Sequence, residues 1–296
     1  MVSIHWTFLD AYILSLLDGT KAQIVQETSD ATDLVVVGHV DLSQVQWPPG
    51  TREVALLGNF NRSLDDVPWP SGLERLWFGE PNRPSLQTYR ISDIFDKPLD
   101  GVTFPYGLRE IFLGDCFDQP IEGIAWPGGL ERLSLPGFNH SIRDVQWPPG
   151  LKALEFLSPS TIRLWQDGGP AAEDFIVFQF GISKGYASSS PPGYGCFNQE
   201  LGSTLPPSLE RLWLSSTYDQ PLDGVACPNG VATLGLPFHS WSYNFSRITL
   251  PSSVKTLFSV DKVNRAIRLP EGAEVKILEP YGERSNWDDD IFSDDW

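Results

Sequence analysis

Positive charge is scarce in this chain: 21 Lys and Arg stand against 38 Asp and Glu, for a net charge of −17. Such a surface repels a phosphate backbone or an anionic bilayer, so nucleic acid is not an expected partner. Cysteine is rarer still, with three in 296 residues. Cys116 and Cys196 each precede a Phe in a recurring phrase, and Cys227 stands before Pro228. No disulfide framework is expected from them. They read as small buried thiols, the first two several coils apart, in an intracellular and cytoplasmic setting. His5, His39, His140 and His239 are scattered, none at metal-ligand spacing from a cysteine or another histidine. No glycine-rich phosphate motif follows a strand pattern, so neither metal nor cofactor is expected. No run approaches the roughly 18 to 20 apolar residues that span a bilayer, which excludes membrane insertion through a helix. Ala11 to Leu17 is apolar but short and has no Lys or Arg before it, so a secretory signal is not expected.

What the chain does contain is one phrase, repeated about every 22 residues: an aromatic with Asn or Asp, then Leu or Ile, an aromatic with Pro, and Leu-x-x-Leu-x-Leu. Clear copies begin at Phe60-Asn61, Phe117-Asp118 and Phe138-Asn139 and pass through the corners Trp69-Pro70, Trp126-Pro127 and Trp147-Pro148. Others open at Phe95-Asp96, Phe197-Asn198 and Tyr218-Asp219. A unit this short cannot bury an apolar face alone, so copies must stack and share a core. The last inward residue of successive copies falls at Leu56, Phe78, Leu113, Leu135, Phe156, Leu214, Leu236, Ser259 and Ile277. The long step after Phe78 predicts an insertion near 80–93. The longer step after Phe156 predicts a degenerate coil with its strand at Ile176-Val177-Phe178, and an insertion near 179–195.

Periodicity changes within each copy. The Leu-x-Leu end alternates as a strand does, and the aromatic-Pro-x-Gly stretch supplies a fixed φ and a permissive glycine for a corner. The expected fold is mainly β, a solenoid of about ten to eleven coils of about 22 residues with a narrow parallel sheet, its neighbours about 4.8 Å apart. Phe60-Asn61, Phe117-Asp118-Gln119-Pro120-Ile121 and Tyr218-Asp219-Gln220-Pro221-Leu222, each leading through a Pro corner, resemble FNIP repeats, short relatives of leucine-rich repeats. Trp before Pro at four corners marks a divergent variant. The resemblance spans roughly residues 40 to 278 and implies a leucine-rich-repeat-like solenoid for protein interaction, without catalytic residues.

Three units are expected: a cap over 1–33, the solenoid over 34–280 and a tail over 281–296. In the cap, Ile4, Phe8, Ala11, Tyr12 and Leu16 step by threes and fours, as on an amphipathic helix over 4–17, and Gln23-Ile24-Val25 and Leu34 to Val37 read as strands leading into the stack. The tail, Asn286 to Trp296, sets five carboxylates among Trp287, Ile291, Phe292 and Trp296. That composition suits either a solubilising end or a docking peptide for a basic partner.

Stacking turns each repeat position into a file across the strands. Arg52, Glu74, Arg109, Glu131 and Lys152 alternate in sign, as do Glu53, Arg75, Glu110 and Arg132, which suits register specification. The file between the two inward residues holds Ala55, Trp77, Phe112, Ser134, Glu155, Val177, Trp213, Gly235, Phe258 and Lys276, on the outer strand face. Trp77, Phe112, Glu155, Trp213 and Phe258 are candidate partner contacts there, unless the insertions fold over them. The corner residues Trp47, Trp69, Phe104, Trp126 and Trp147 read as an aromatic ladder, and Asn61, Asp96, Asp118, Asn139, Asn198 and Asp219 as side chains that satisfy backbone groups at a bend. Asp100, Glu122 and Asp223 form an acidic file best explained as solvated turn carboxylates.

The expected function is therefore a non-catalytic protein-interaction or scaffold module. It would bind a partner with a basic patch through the outer strand face, the acidic tail, or both. A carbohydrate-active or carbohydrate-binding β-solenoid and an architectural subunit of a larger complex are the alternatives.

Overall fold

The computed structural model describes residues 23–26, 33–38, 40–58, 60–79, 94–157, 162, 196–201, 205–215, 217, 218, 220, 225, 227–236, 250–259 and 269–277. One sheet runs through them. Its strands are β1 (Gln23–Gln26), β2 (Asp33–Val37), β3 (Glu53–Leu57), β4 (Arg75–Phe78), β5 (Glu110–Phe112), β6 (Arg132–Ser134), β7 (Ala153–Glu155), β8 (Arg211–Trp213), β9 (Thr233–Leu236), β10 (Thr256–Ser259) and β11 (Glu274–Ile277), hydrogen-bonded in chain order. Strands β2 to β11 are parallel, and β1 lies antiparallel on β2. An antiparallel strand thus forms the N-terminal edge of the sheet. The helical cap expected over 4–17 lies outside the described residues and finds no support in them.

The corner sets the strand spacing. The Pro carbonyl accepts the N–H three residues on, from Thr51 on Pro48, through Leu73 on Pro70 and Leu151 on Pro148, to Ala273 on Pro270. Pro presets its own φ and Gly tolerates the left-handed third position, as at Gly50 (φ 84°) and Gly272 (φ 78°). Each turn delivers its strand in the same register: Leu76 faces Ile111, Leu133 faces Leu154, and Leu257 faces Val275.

One step departs from the expectation. β7 pairs directly with β8, Leu154 opposite Leu212, and the Glu210 and Arg211 N–H groups both donate to Lys152 O. Ile176-Val177-Phe178 is therefore not a rung between them. The whole stretch from Ser158 to Gly195 is an insertion at one place in the repeat, after a strand and before the next aromatic-Asn opening. The first insertion, 80–93, leaves at the same place. Apart from Ile162, both stretches lie outside the described residues.

Inside the coils, Leu and Ile from successive rungs make a continuous core with the aromatics that open each phrase. Phe95 stacks on Phe117 at 6.0 Å, Phe138 on Phe197 at 6.1 Å, and Phe197 on Tyr218 at 6.0 Å. Phe78 and Phe156, at strand ends, fill the gaps left at the insertions, 4.0 Å from Phe95 and 3.9 Å from Phe197. The corner tryptophans Trp47, Trp69, Trp126 and Trp147 pack half-buried against this core. Trp47 stacks on Trp69 at 5.7 Å and Phe104 on Trp126 at 6.2 Å.

Candidate interaction surfaces

The outer strand face is a second core. Trp77, Phe112 and Phe258 are buried, and Trp213 is fully enclosed. This corrects the expectation of exposed anchors. Leu157 and Ile162 cluster with Trp213 and Phe258, and Leu157 O accepts the Ser134 hydroxyl at 2.9 Å. Trp213 reaches Phe258, two rungs away at 4.8 Å, because Gly235 lies between them; a Cβ there would stand 2.0 Å from Trp213 Cε3. Lys276 Nζ sits 5.5 Å over the Phe258 ring. Glu155, 3 % exposed, is likewise no surface contact: Arg132 Nε lies 3.5 Å from its carboxylate while Arg132 Nη1 is 3.6 Å from Glu110. Trp287, Phe292 and Trp296 lie outside the described residues.

The flank charges pair as their alternation implies. Arg52 reaches Glu74 at 3.1 Å, and Glu131 takes Arg109 at 2.6 Å and Lys152 at 3.0 Å. The Lys152 hydrogen bond, with Arg109 beside it, holds the Glu131 carboxyl below the usual carboxylate range. Arg75 donates to Glu53 in the adjoining file. Each exposed pair contributes only about 0.2 to 1 kcal/mol, but a one-rung slip would set like charges together.

Away from the strands, on what is termed the convex side of each coil, the Asn and Asp file forms a ladder. Asn61 accepts the Asp96 N–H at 3.1 Å, Asp96 the Asp118 N–H at 3.0 Å, Asp118 the Asn139 N–H at 2.8 Å, and Asn139 the Asn198 N–H at 2.8 Å. The next residue helps where it is Gln: Gln119 donates to Asp96 and Gln199 to Asn139. The convex segments are thereby tied rung to rung by bonds to backbone groups a sheet cannot reach.

The turns beyond this ladder are acidic. Asp41, Asp65, Asp66, Asp100, Glu122 and Asp144 are all exposed. Hydrogen bonds from the Ser43 hydroxyl and N–H, with Arg62 nearby, hold the Asp41 carboxyl below its ordinary value, and Arg143 pairs with Glu200. Asp223 lies outside the described residues. His140 Nε2 is 2.8 Å from the Asp118 carbonyl oxygen and 3.4 Å from its carboxylate. Among the described residues, no group of three or more His, Cys, Asp or Glu is placed to hold a metal, and no helix is long and apolar enough to cross a membrane.

Sequence reasoning passed over two features of this side. Tyr106, 85 % exposed, is the exposed large hydrophobic of the described residues, at a Pro-x-Gly corner with its ring 3.9 Å from the Cβ position of Gly128. Its signal was an aromatic where other corners carry Gly, Pro, Ser, Asn or Glu. The second is a pair of separate shallow depressions between segments 41–51 and 62–72, one lined by Trp47, Pro48, Pro49, Pro68 and Pro70 and the other by Asp41, Arg62, Asp65 and Asp66.

The thiols also differ from expectation. Cys116 is exposed, and Cys196 and Cys227 are half-buried; none of the three is in a disulfide. Cys116 and Cys196 are two rungs apart, with Gly137 between them, since Phe138 stacks on Phe197 and the Cys196 N–H donates to Pro136 O. Burial, with Asp115 and Asp118 nearby, raises the Cys196 thiol, and burial pushes Cys227 to about 11. Asp115 is half-buried as a residue, but its Oδ1 is enclosed without a partner, and burial pushes its carboxyl up to about 6.

No family model and no curated protein matches the sequence. Among solved structures, the chain is similar to one described as the crystal structure of CroV588, a novel circular LRR protein structure, with a TM-score of 0.49 and 19 % identity, covering 86 % of this chain and 34 % of that one. The chain thus spans about a third of that protein's length. The neighbour is itself a leucine-rich-repeat protein, circular in form.

Proposed function

We propose that this chain is a non-catalytic protein-interaction solenoid, of the FNIP type with Trp-Pro corners, that presents its convex turns to a basic partner. The observation that supports this reading is the segregation of charge. Carboxylates on the strand flank are matched by Arg and Lys in adjacent rungs, whereas those on the convex turns are exposed and outnumber the cations beside them. A fixed array of like charge along a rigid stack steers a complementary partner and discriminates against others. The acidic tail, with Trp287, Phe292 and Trp296, is a second contact region of the same sign. Three cysteines outside any disulfide suit an intracellular setting.

The test is affinity capture from native lysate with the full chain, an Asp100→Asn/Glu122→Gln/Asp144→Asn variant and a chain ending at Tyr281. Partners held by the convex turns should be released by raised salt and lost with the triple variant. Partners held by the tail should be lost with the truncation. Capture that survives both changes and is indifferent to salt contradicts the reading.

A further inference from the structure

We propose that Asn229 is a site of spontaneous modification, at which the side-chain amide cyclises onto the main chain at Gly230 and opens to a mixture of aspartate and isoaspartate. This goes beyond the interaction reading and does not depend on the partner. Asn229-Gly230 is the one place in the chain where Asn is followed by Gly. The pair forms the two central positions of a corner, closed by the Val231 N–H on Pro228 O at 3.1 Å. Both residues are exposed, and among the described residues no hydrogen bond holds the Asn229 side chain or the Gly230 N–H. The ladder asparagines are held instead. Asn61 accepts the Asp96 N–H at 3.1 Å, Asn139 the Asn198 N–H at 2.8 Å, and Asn198 the Gln220 side chain at 3.2 Å. The residues that follow them, Arg62, His140 and Gln199, all carry a Cβ. The amide left unrestrained is thus also the one whose neighbour offers no steric shield.

The stack constrains this glycine from behind. Unlike Gly50 and Gly272, Gly230 is not in the left-handed region, so φ does not require it. The preceding rung lies close instead: a Cβ at 230 would stand 3.0 Å from Leu209 O. Adjacent rungs show how a side chain fits there, with Ser208 Oγ donating to Leu151 O at 2.7 Å and Ser253 Oγ to Val231 O at 2.8 Å. In the cyclisation the Gly230 nitrogen, its proton lost to a solvent base, attacks Asn229 Cγ. The N–Cγ bond forms, the Cγ–Nδ2 bond breaks, and the amide leaves as ammonia. Water then opens the ring at either carbonyl: at Cγ it gives aspartate, and at the main-chain carbon it gives isoaspartate, whose backbone runs through Cβ and Cγ. Both products add a carboxylate. Isoaspartate also lengthens the main chain by one atom inside a turn that a single hydrogen bond closes. Val231, which follows, is fully buried, and its carbonyl holds the Ser253 hydroxyl, so the longer turn disturbs both the core and the next rung.

Peptide mapping by mass spectrometry of the full chain, aged in mildly alkaline and in mildly acidic buffer, tests this. In the alkaline sample the peptide carrying Asn229 should gain the mass of an amide-to-acid exchange and split into two isomers, at least about tenfold faster than peptides carrying Asn61, Asn139 or Asn198. Acidic buffer should slow the change, because the attacking nitrogen must lose its proton. Gly230→Ser should slow it about tenfold or more while keeping the thermal midpoint near that of wild type, since the new hydroxyl can reach Leu209 O as its neighbours reach theirs. Asn229→Gln, at an exposed position and with a side chain that closes a larger ring less readily, should remove the mass gain over the same period. Aged wild type should show a lower thermal transition that grows with its isoaspartate content and is absent from aged Asn229→Gln. Conversion of Asn229 no faster than that of the ladder asparagines, or equally fast in Gly230→Ser, overturns the site. Isoaspartate without the lower transition overturns the disturbance of the corner.

Discussion

Replacing Gly235 by alanine probes the second core directly. The new Cβ would lie 2.0 Å from Trp213 Cε3, 2.4 Å from Cδ2 and 2.6 Å from Cζ3, where carbon contacts need roughly 3.5 to 4.0 Å. The indole must therefore move by about 1.5 Å or more, and it has nowhere to go: Phe258 is 4.8 Å away, and Leu157 and Ile162 belong to the same buried cluster. If the ring shifts within its site, overpacking costs about 1 to 3 kcal/mol. If it is expelled, loss of about 150 to 250 Å² of buried aromatic surface at about 25 cal/mol per Å² raises the cost to about 4 to 6 kcal/mol, an upper bound. Denaturant unfolding of four proteins separates this clash from any general intolerance of the strand: wild type, Gly235→Ala, Trp213→Ala and the double variant. Trp213→Ala alone should cost about 3 to 5 kcal/mol. In that background Gly235→Ala should cost nothing, or even gain up to about 1 kcal/mol, because alanine loses less backbone freedom than glycine. The coupling should thus be at least about 1 kcal/mol. Equal costs in the two backgrounds would refute the packing of Trp213 over Gly235, and with it the account of the outer face as a core.

The Asp115 carboxyl, raised by burial to about 6 from 3.8, keeps a proton in the native state that the unfolded chain has released. Its contribution to stability is therefore full below about pH 4 and falls as pH rises towards 6, by up to about 3 kcal/mol. Asp115→Asn should match wild type near pH 4 and exceed it at pH 7 in denaturant titrations; parallel profiles would count against the burial. Asn139 accepts two hydrogen bonds from the next rung, so Asn139→Ala should cost about 1 to 2 kcal/mol and Asn139→Asp, which keeps the acceptor, much less, read as denaturation midpoints. With iodoacetamide at pH 8, mass spectrometry should find exposed Cys116 alkylated well before Cys227, whose thiolate is disfavoured by burial; the reverse order would contradict their placement.

Features that depend on the repeat were legible in the sequence, because stacking converts equal spacing into contact. The files Arg52 to Lys152 and Asn61 to Asn198 could be written down in advance and are joined in the structure by ion pairs and side-chain-to-backbone bonds. Exposure of the outer face was not legible, because what covers a strand need not share its period. Leu157 and Ile162 belong to no repeat, yet they close over Trp213 and Phe258. A hint was present: at β3, β4, β5, β8 and β10 the outward Ala55, Trp77, Phe112, Trp213 and Phe258 are as apolar as their inward neighbours, the mark of a sheet buried on both faces.

The long step between Phe156 and Leu214 shows where counting fails. It fits two periods with a short insertion or one period with a long one, and Ile176-Val177-Phe178 has the right character for a strand. A rung, however, is more than its strand. It needs an aromatic to continue the inner stack and an Asn or Asp to continue the ladder, and the stretch before Ile176 supplies no such pair. In the structure both duties pass directly across the gap: the Asn198 N–H donates to Asn139, Phe156 lies 3.9 Å from Phe197, and Lys152 O accepts from the N–H groups that open β8. An additional coil would have to break all three connections at once. A repeat of this kind is therefore counted more safely by its ladder residues than by its strands, because apolar triplets are common and an aromatic joined to an Asn or Asp is not.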